Sequence, residues 1–236
     1  MKEDLQKRVD ESSAFYANSF LSLDYKLADY AYDTLKQFFI GTDALEIGPA
    51  SGYMTKHLIN DFKKLDVLEG SESLLSAIPT YENVRKFHSL IENFEADKEY
   101  DTIIMSHVLE HIEEPIKNLE KIKSWLKKKC RLLIAVPNAL SLHRMAAVEM
   151  GLLKNEYQLN ERDLQLGHFR VYDLETLSTH IKEAGFTITN KGGYFLKPLS
   201  NSQIEKNWDD KMIHAFYLLG NKFPTHCAEI FIVAEK

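Results

Sequence analysis

The stretch Leu45-Glu-Ile-Gly-Pro-Ala-Ser-Gly-Tyr-Met-Thr55 constrains this chain more than any other. An apolar run (Ala44, Leu45, Ile47) carrying one carboxylate, Glu46, ends in a turn built from Gly48, Pro49, Ala50, Ser51 and Gly52. Beyond it Tyr53, His57, Leu58 and Phe62 fall at helical spacing, so the stretch reads as a strand, a tight turn and a helix from Gly52 to about Phe62. Such a turn lets backbone come close to a ligand at a helix N-terminus, outside the carboxyl end of a strand, where open α/β sheets bind cofactors.

Two ligand classes compete for the turn. A dinucleotide fingerprint wants glycine at 50 and a small residue at 53, where this chain has Ala50 and Tyr53. A pyrophosphate is also disfavoured by Glu46, whereas a ligand with an amino group and a sulfonium is favoured by it. Glu46-Ile-Gly48-Pro-Ala50-Ser-Gly52 resembles the first motif of the class I S-adenosylmethionine-dependent methyltransferases, with Ala50 where that family more often has glycine.

Composition narrows the alternatives. The 236 residues suffice for one α/β domain with an elaborated edge, and 29 basic against 35 acidic residues leave a net charge of −6, no footprint for a nucleic acid. No stretch has the length of a membrane span and the polar N-terminus is unlike a signal peptide, so a cytoplasmic location without membrane insertion is expected. Cys130 and Cys227 are too few for a disulfide framework and read as packing residues.

Residues 1–40 are helical in pattern, with Phe15, Phe20, Leu21, Tyr25, Leu27 and Tyr30 among charges. They form either a helix covering one end of the sheet or a lid over the cofactor. Leu65–Glu69 is a second short strand ending in an acid, followed by Gly70, Ser71 and a helix; a carboxylate there, some twenty residues beyond the glycine turn, is placed to accept both ribose hydroxyls of an adenosine. Val84–Ser89 reads as a third strand and Thr102–Ser106 as a fourth, leading to His107-Val-Leu-Glu110-His111. That sequence matches the zinc-peptidase pattern H-x-x-E-H, but Pro115 cuts short the helix such a site needs. Ile116–Lys129 reads as one amphipathic helix whose Lys127, Lys128 and Lys129 complement its dipole, and Arg131–Val136 as a central parallel strand. Asp173 caps a helix stopped by Gly185, Phe186 to Phe195 is a strand kinked at Gly192-Gly193, one helix holds Ile204 through Leu219, and Ala228–Ala234 is the last strand.

The ordered set resembles a class I methyltransferase over residues 40–236. The resemblance implies an α/β, Rossmann-like, seven-stranded, mostly parallel sheet with an antiparallel last strand between those at 131 and 186. Helices lie on both faces, with substrate-cap insertions at about 138–172 and 197–225. It implies S-adenosylmethionine as cofactor, bound by Glu46, Gly48, Pro49, Ala50, Gly52, Tyr53, Glu69, Gly70, Ser71, Ser106 and His107. The family commonly places adenine-contacting residues in the loop beyond the third strand, which makes Ser89, Leu90 and Ile91 candidates by position. Ubiquinone-type O-methyltransferases carry Glu-x-x-Glu-His and are thought to bind a divalent ion; this chain matches only Glu110 and His111, and no metal is expected.

The acceptor is expected to be a small molecule, with the chain a monomer or homodimer. His143, Arg144, Arg170, Tyr172 and Tyr194 are the candidate substrate residues, the arginines and His143 and His168 suiting an anionic acceptor. Val136-Pro-Asn138, Leu140–Arg144 and Gly167–Arg170 are similar to bacterial methyltransferases associated with surface-polysaccharide and sugar-nucleotide modification. His168, His107 and His111 are the candidate bases, with His168 favoured and Arg170 orienting the acceptor, since histidine suits proton transfer near neutrality. The rivals are a degenerate cofactor-binding protein and a methyltransferase of quinone precursors, protein or tRNA.

Overall fold

A computed structural model describes the backbone of residues 2–19 and 22–236, with side chains for 5–15 and 22–236; Phe20 and Leu21 lie outside the described residues. Its strands are β1 (Asp43–Ile47), β2 (Lys64–Glu69), β3 (Val84–His88), β4 (Tyr100–Ser106), β5 (Leu126–Pro137), β6 (Thr187–Tyr194) and β7 (Glu229–Glu235). They pair in the order β3-β2-β1-β4-β5-β7-β6, all parallel except β7, which runs antiparallel between β5 and β6 as expected. The order reverses between β1 and β4, so their carboxyl ends open a crevice at a topological switch point.

Both faces of the sheet are buried, which explains the near-continuous apolar strands. Side chains alternate: Leu132, Ile134 and Val136 of β5 join one core, Leu133 and Ala135 the other, and in β7 Ile230 and Ile232 oppose Phe231 and Val233. The first core is closed by α5 (Pro115–Ser124) and α8 (Leu174–Glu183) through Leu119, Ile122, Leu177 and Ile181. The second is closed by α2 (Ser22–Lys36), α3 (Thr55–Leu58), α4 (Glu72–Ala77), α9 (Asn201–Asn207) and α10 (Asp210–Gly220). Asp173 caps α8, accepting from Thr176 N at 2.7 Å. Cys130 and Cys227 are free and buried at opposite ends of the β5–β7 pair.

The N-terminal pattern divides into α1 (Lys2–Ser19) and α2. α2 packs Leu23, Leu27 and Leu35 into the second core. α1 bridges the crevice rims: Gln6 Nε2 donates to Gly70 O at 2.8 Å and Arg8 Nη2 to Gly167 O at 3.1 Å, with the Arg8 guanidinium 3.8 Å from the Phe169 ring centre.

Several elements differ from the sequence expectation. The helix after the glycine turn is one short piece, because residues 51–54 remain in turns. α5 stops at Ser124 and the three lysines lie on β5, where Tyr100 pairs with Leu126 and Lys127 reaches Asp101 at 3.0 Å and Asp43 at 3.2 Å. Lys127 thus complements carboxylates of neighbouring strands, and none of the three caps a helix. Gly192 and Gly193 make no kink; the β6 irregularity falls between Ile188 and Asn190. A Cβ on Gly193 would come within 2.2 Å of Pro224 O, so close backbone approach explains that glycine. The helix over 204–219 breaks at Trp208, where Asp209 starts and caps α10.

Candidate active site

The crevice holds a cavity of about 600 Å³, within the usual ~300–1,000 Å³ of small-molecule pockets. Its first wall is the turn after β1. Gly48, Ala50 and Gly52 take φ of 67°, 49° and 80°, the left-handed region in which a side chain is strained. A Cβ on Gly48 would meet Val108 Cγ2 at 2.5 Å, so the turn and the segment after β4 pack backbone against side chain. Ala50→Gly should raise stability by about 0.5–1 kcal/mol, a strain of roughly 1–2 kcal/mol less the added entropy of the unfolded chain. Urea midpoints check this; a lower midpoint would mean that the methyl group packs better than it strains.

Glu69, at the tip of β2, accepts from Ala50 N at 3.0 Å through Oε2 and from Ser71 N at 2.9 Å through Oε1. Burial pushes its carboxyl up and these backbone donors oppose the shift. Of the expected cofactor residues, Glu46, Gly48, Pro49, Ala50, Tyr53, Glu69, Gly70, Ser89, Leu90, Ile91, Ser106 and His107 line the cavity. Gly52 and Ser71 do not: Gly52 N closes the turn on Pro49 O at 2.9 Å, and Ser71 caps α4.

Glu46 accepts from Thr55 Oγ1 at 2.6 Å and is otherwise desolvated; burial raises its carboxyl to about 7, with Thr55 opposing. A raised carboxyl keeps its proton in the folded chain after the unfolded chain has lost it. Stability from this group is therefore whole below about pH 4.5 and falls as pH rises through 7, by roughly 3 kcal/mol in total. Glu46→Gln should flatten stability between those pH values, as read from denaturation midpoints across the window.

The opposite wall is polar and buried. His107, the residue after β4, has φ 57°, and its ring stands 3.3 Å from Glu229 Oε2 and 3.6 Å from Glu110 Oε1. Burial raises the carboxyls of both Glu110 and Glu229, and among the described residues Glu229 Oε2 and both Glu110 oxygens have no hydrogen-bond partner. Only Leu109–His111 is helical here, as a 3-10 turn, so the H-x-x-E-H residues do not share a helix face. Glu110, His111 and His168 nonetheless converge, with one potential ligand atom each within 4.8 Å of the others.

His168 places Nδ1 3.5 Å from Asp163 Oδ1 and its ring edge-on to His111. Burial holds His111 down to about 3 and His143 to about 2, so both stay neutral near pH 7. Asp163, despite burial, is held at about 2 by His168, the Asn160 backbone and Arg144.

The expected arginine pair is committed elsewhere. Arg144, on α6 (Leu142–Glu149) beside the cavity, donates to Glu156 O at 2.9 Å, to Oδ2 of Asp163 on α7 (Glu161–Gln165) at 3.0 Å and to Gln158 O. Arg170 is outside the cavity and donates to Ile112 O and, at 2.9 Å, to Glu113 O. Tyr172 and Tyr194 are also outside it, Tyr172 paired with His180 Nδ1 at 3.1 Å and Tyr194 buried at the end of β6. His143, His168, His107 and His111 do line it. Sequence reasoning missed Glu229 and Lys197; a lone carboxylate opening an apolar strand was the available signal for the first, and Lys197 had none.

A methyltransferase domain family model matches residues 22–191, more than two thirds of the chain. No curated protein matches its sequence. Among solved structures, an S-adenosylmethionine-dependent methyltransferase from Mesorhizobium loti aligns with TM-score 0.65 at 11% identity, covering 89% of this chain and 100% of that one. The N-methyltransferase NodS from Bradyrhizobium japonicum, bound to S-adenosylhomocysteine, aligns at 0.62 and 12%, covering 99% and 97%. A methyltransferase from Archaeoglobus fulgidus aligns at 0.60 and 20%, covering 90% and 94%. At these identities the likeness is one of fold. The crevice and sheet order define a class I methyltransferase architecture, and the chain belongs to the methyltransferase domain family. Among the described residues no helix is long and apolar enough to cross a membrane.

Proposed function

We propose that this chain transfers a methyl group from S-adenosylmethionine to an oxygen of a small-molecule acceptor, with His107 taking the acceptor's proton. The observation that carries this reading is the position of His107, strained at the strand tip between the glycine turn and two buried carboxylates. Residues in sparsely populated backbone conformations cost about 1–3 kcal/mol and cluster at functional sites.

The cavity suits the cofactor at each end. Leu68, Leu74, Leu90 and Ile91 offer an apolar wall for a flat base, Glu69 keeps lone pairs for ribose hydroxyls, and Glu46 stands where a cationic group is favoured. S-adenosylmethionine, when bound, supplies a methyl group made electrophilic by its sulfonium. What remains for the protein is alignment of the acceptor and removal of its proton, and positioning supplies much of the rate.

Among the histidines lining the cavity, His111 and His143 are too weakly basic to hold a proton near neutrality. His168 is 5% exposed and turned to Asp163, while the His107 side chain keeps 30% of its surface open. Glu229 Oε2, 3.3 Å from His107 Nε2, favours by its proximity the cation that forms on proton transfer. This reading favours His107 over His168 as the base and gives Arg170, outside the cavity lining, no part in orienting the acceptor.

A sugar nucleotide or phosphorylated polysaccharide precursor offers hydroxyls of the required kind. Its support is the sequence resemblance around Val136–Asn138 and Gly167–Arg170; Arg144 and Arg170 do not add to it. The experiment is a screen for S-adenosylhomocysteine formation against sugar nucleotides, phosphorylated metabolites, quinone precursors and amines. Turnover restricted to amines would overturn oxygen as the acceptor atom, and cofactor binding without turnover on any class would favour a degenerate binding protein.

A further inference from the structure

We propose that Lys197 binds an anionic substituent, carboxylate or phosphate, of the methyl acceptor. The inference rests on the proposed function and names the acceptor class for the same cavity. Lys197 follows β6, lines the cavity and is 9% exposed. An ammonium has three donors. One is used, on Asn201 Oδ1 at 2.7 Å. Among the described residues no carboxylate lies within 4.0 Å of its nitrogen.

The other charges at this end of the cavity are already paired. Asp24 accepts from Arg162 Nη2 at 3.1 Å and from Asn201 Nδ2 at 2.7 Å, Asp163 accepts from Arg144, and Glu229 faces His107. Asn201 is thus held by Asp24 on one side and accepts from Lys197 on the other, which fixes where the ammonium points. Among the described residues Lys197 has no ion-pair partner within 4.0 Å, and Glu229 and Asp24 act on it only from farther off. A desolvated cation with unused donors is unfavourable unless something anionic completes it, and burial pushes its pKa down accordingly.

A second orphaned polar atom lies beside it. Among the described residues His143 Nδ1 is buried without a hydrogen-bond partner, and His143 N donates to Lys197 O at 3.1 Å, so the two residues form one patch. Neutral His143 adds a hydrogen-bonding group to the lysine charge, a pairing suited to a carboxylate or phosphate oxygen. Lys197 and His107 line the same cavity, so the anion site and the proposed reacting hydroxyl share one enclosure.

The test titrates inorganic phosphate, and separately acetate, into protein saturated with S-adenosylhomocysteine, using calorimetry on wild type, Lys197→Met, Lys197→Arg and Arg170→Met. Wild type and Arg170→Met should bind at least one anion, Lys197→Met about tenfold or more weakly, and Lys197→Arg should recover binding. Preference for phosphate or acetate identifies the source of the charge. The ligand-free Lys197→Met protein should unfold at the same or a higher temperature, since no ion pair is lost. Anion binding absent from wild type, or equal in wild type and Lys197→Met, overturns the proposal. Failure of S-adenosylhomocysteine to bind wild type would instead remove the proposed function, and this inference with it.

Discussion

Replacing His107 by alanine should lower kcat by about 10²–10⁴, the usual span for losing a general base, while cofactor affinity stays within a few-fold of wild type. The expectation follows from the ring's position, 3.3 Å from Glu229 and 3.6 Å from Glu110 at the edge of the cavity. His168→Ala should have a smaller effect on kcat, because its ring is enclosed by Asp163 and His111. Steady-state kinetics on both variants with an acceptor found by the screen decides the matter. Should His107→Ala turn over near normally and His168→Ala lose activity, the base belongs to the cap segment. Glu229→Gln provides a further check: it keeps the shape but removes the carboxylate beside the His107 ring, so kcat should fall.

Glu69→Ala should weaken S-adenosylmethionine binding by about 1.5–3 kcal/mol, roughly 10- to 150-fold, the range for hydrogen bonds to a charged group. Part of that loss is structural. The carboxylate accepts from Ala50 N and Ser71 N, so it ties the glycine turn to the tip of β2. Alanine would remove both the ribose acceptor and the anchor of a turn that already holds Ala50 at φ 49°. Glu69→Gln separates the two, because the amide retains one acceptor oxygen. Glu46→Gln should cost less affinity than Glu69→Ala, since a contact to the cofactor's amino group can pass through water. Calorimetric titration with circular dichroism as a folding control reads all three, and unchanged affinity in folded Glu69→Ala would remove Glu69 from the site.

The strand-turn-helix around Gly48, the acid twenty residues on and the apolar runs of β4, β5 and β7 were all legible as sequence. These are local signals, in which residue type, spacing and backbone freedom act within one turn or strand. Element ends were less legible: Trp125 and Leu126 continue the helical spacing of α5, and only pairing with Tyr100 draws Leu126 into a strand. The same holds at Trp208, where a continuous apolar spacing conceals the separate start made by Asp209.

The acceptor end shows the limit most clearly. Sequence alone determined that this chain would place a glycine turn, Glu69 and His107 outside the carboxyl ends of successive parallel strands, because an open α/β sheet puts those positions on one edge. It could not determine which charges there remain unpaired. Arg144 and Lys197 are both cations by type, but Arg144 meets Asp163 from a segment 19 residues away, while Lys197 donates to an amide oxygen and, among the described residues, has no carboxylate within 4.0 Å. Glu229 reaches His107 because β7 enters the sheet beside β5, over a hundred residues along the chain. Pairing of buried charges depends on distances of a few ångströms between remote segments, and the packing of those segments alone sets them.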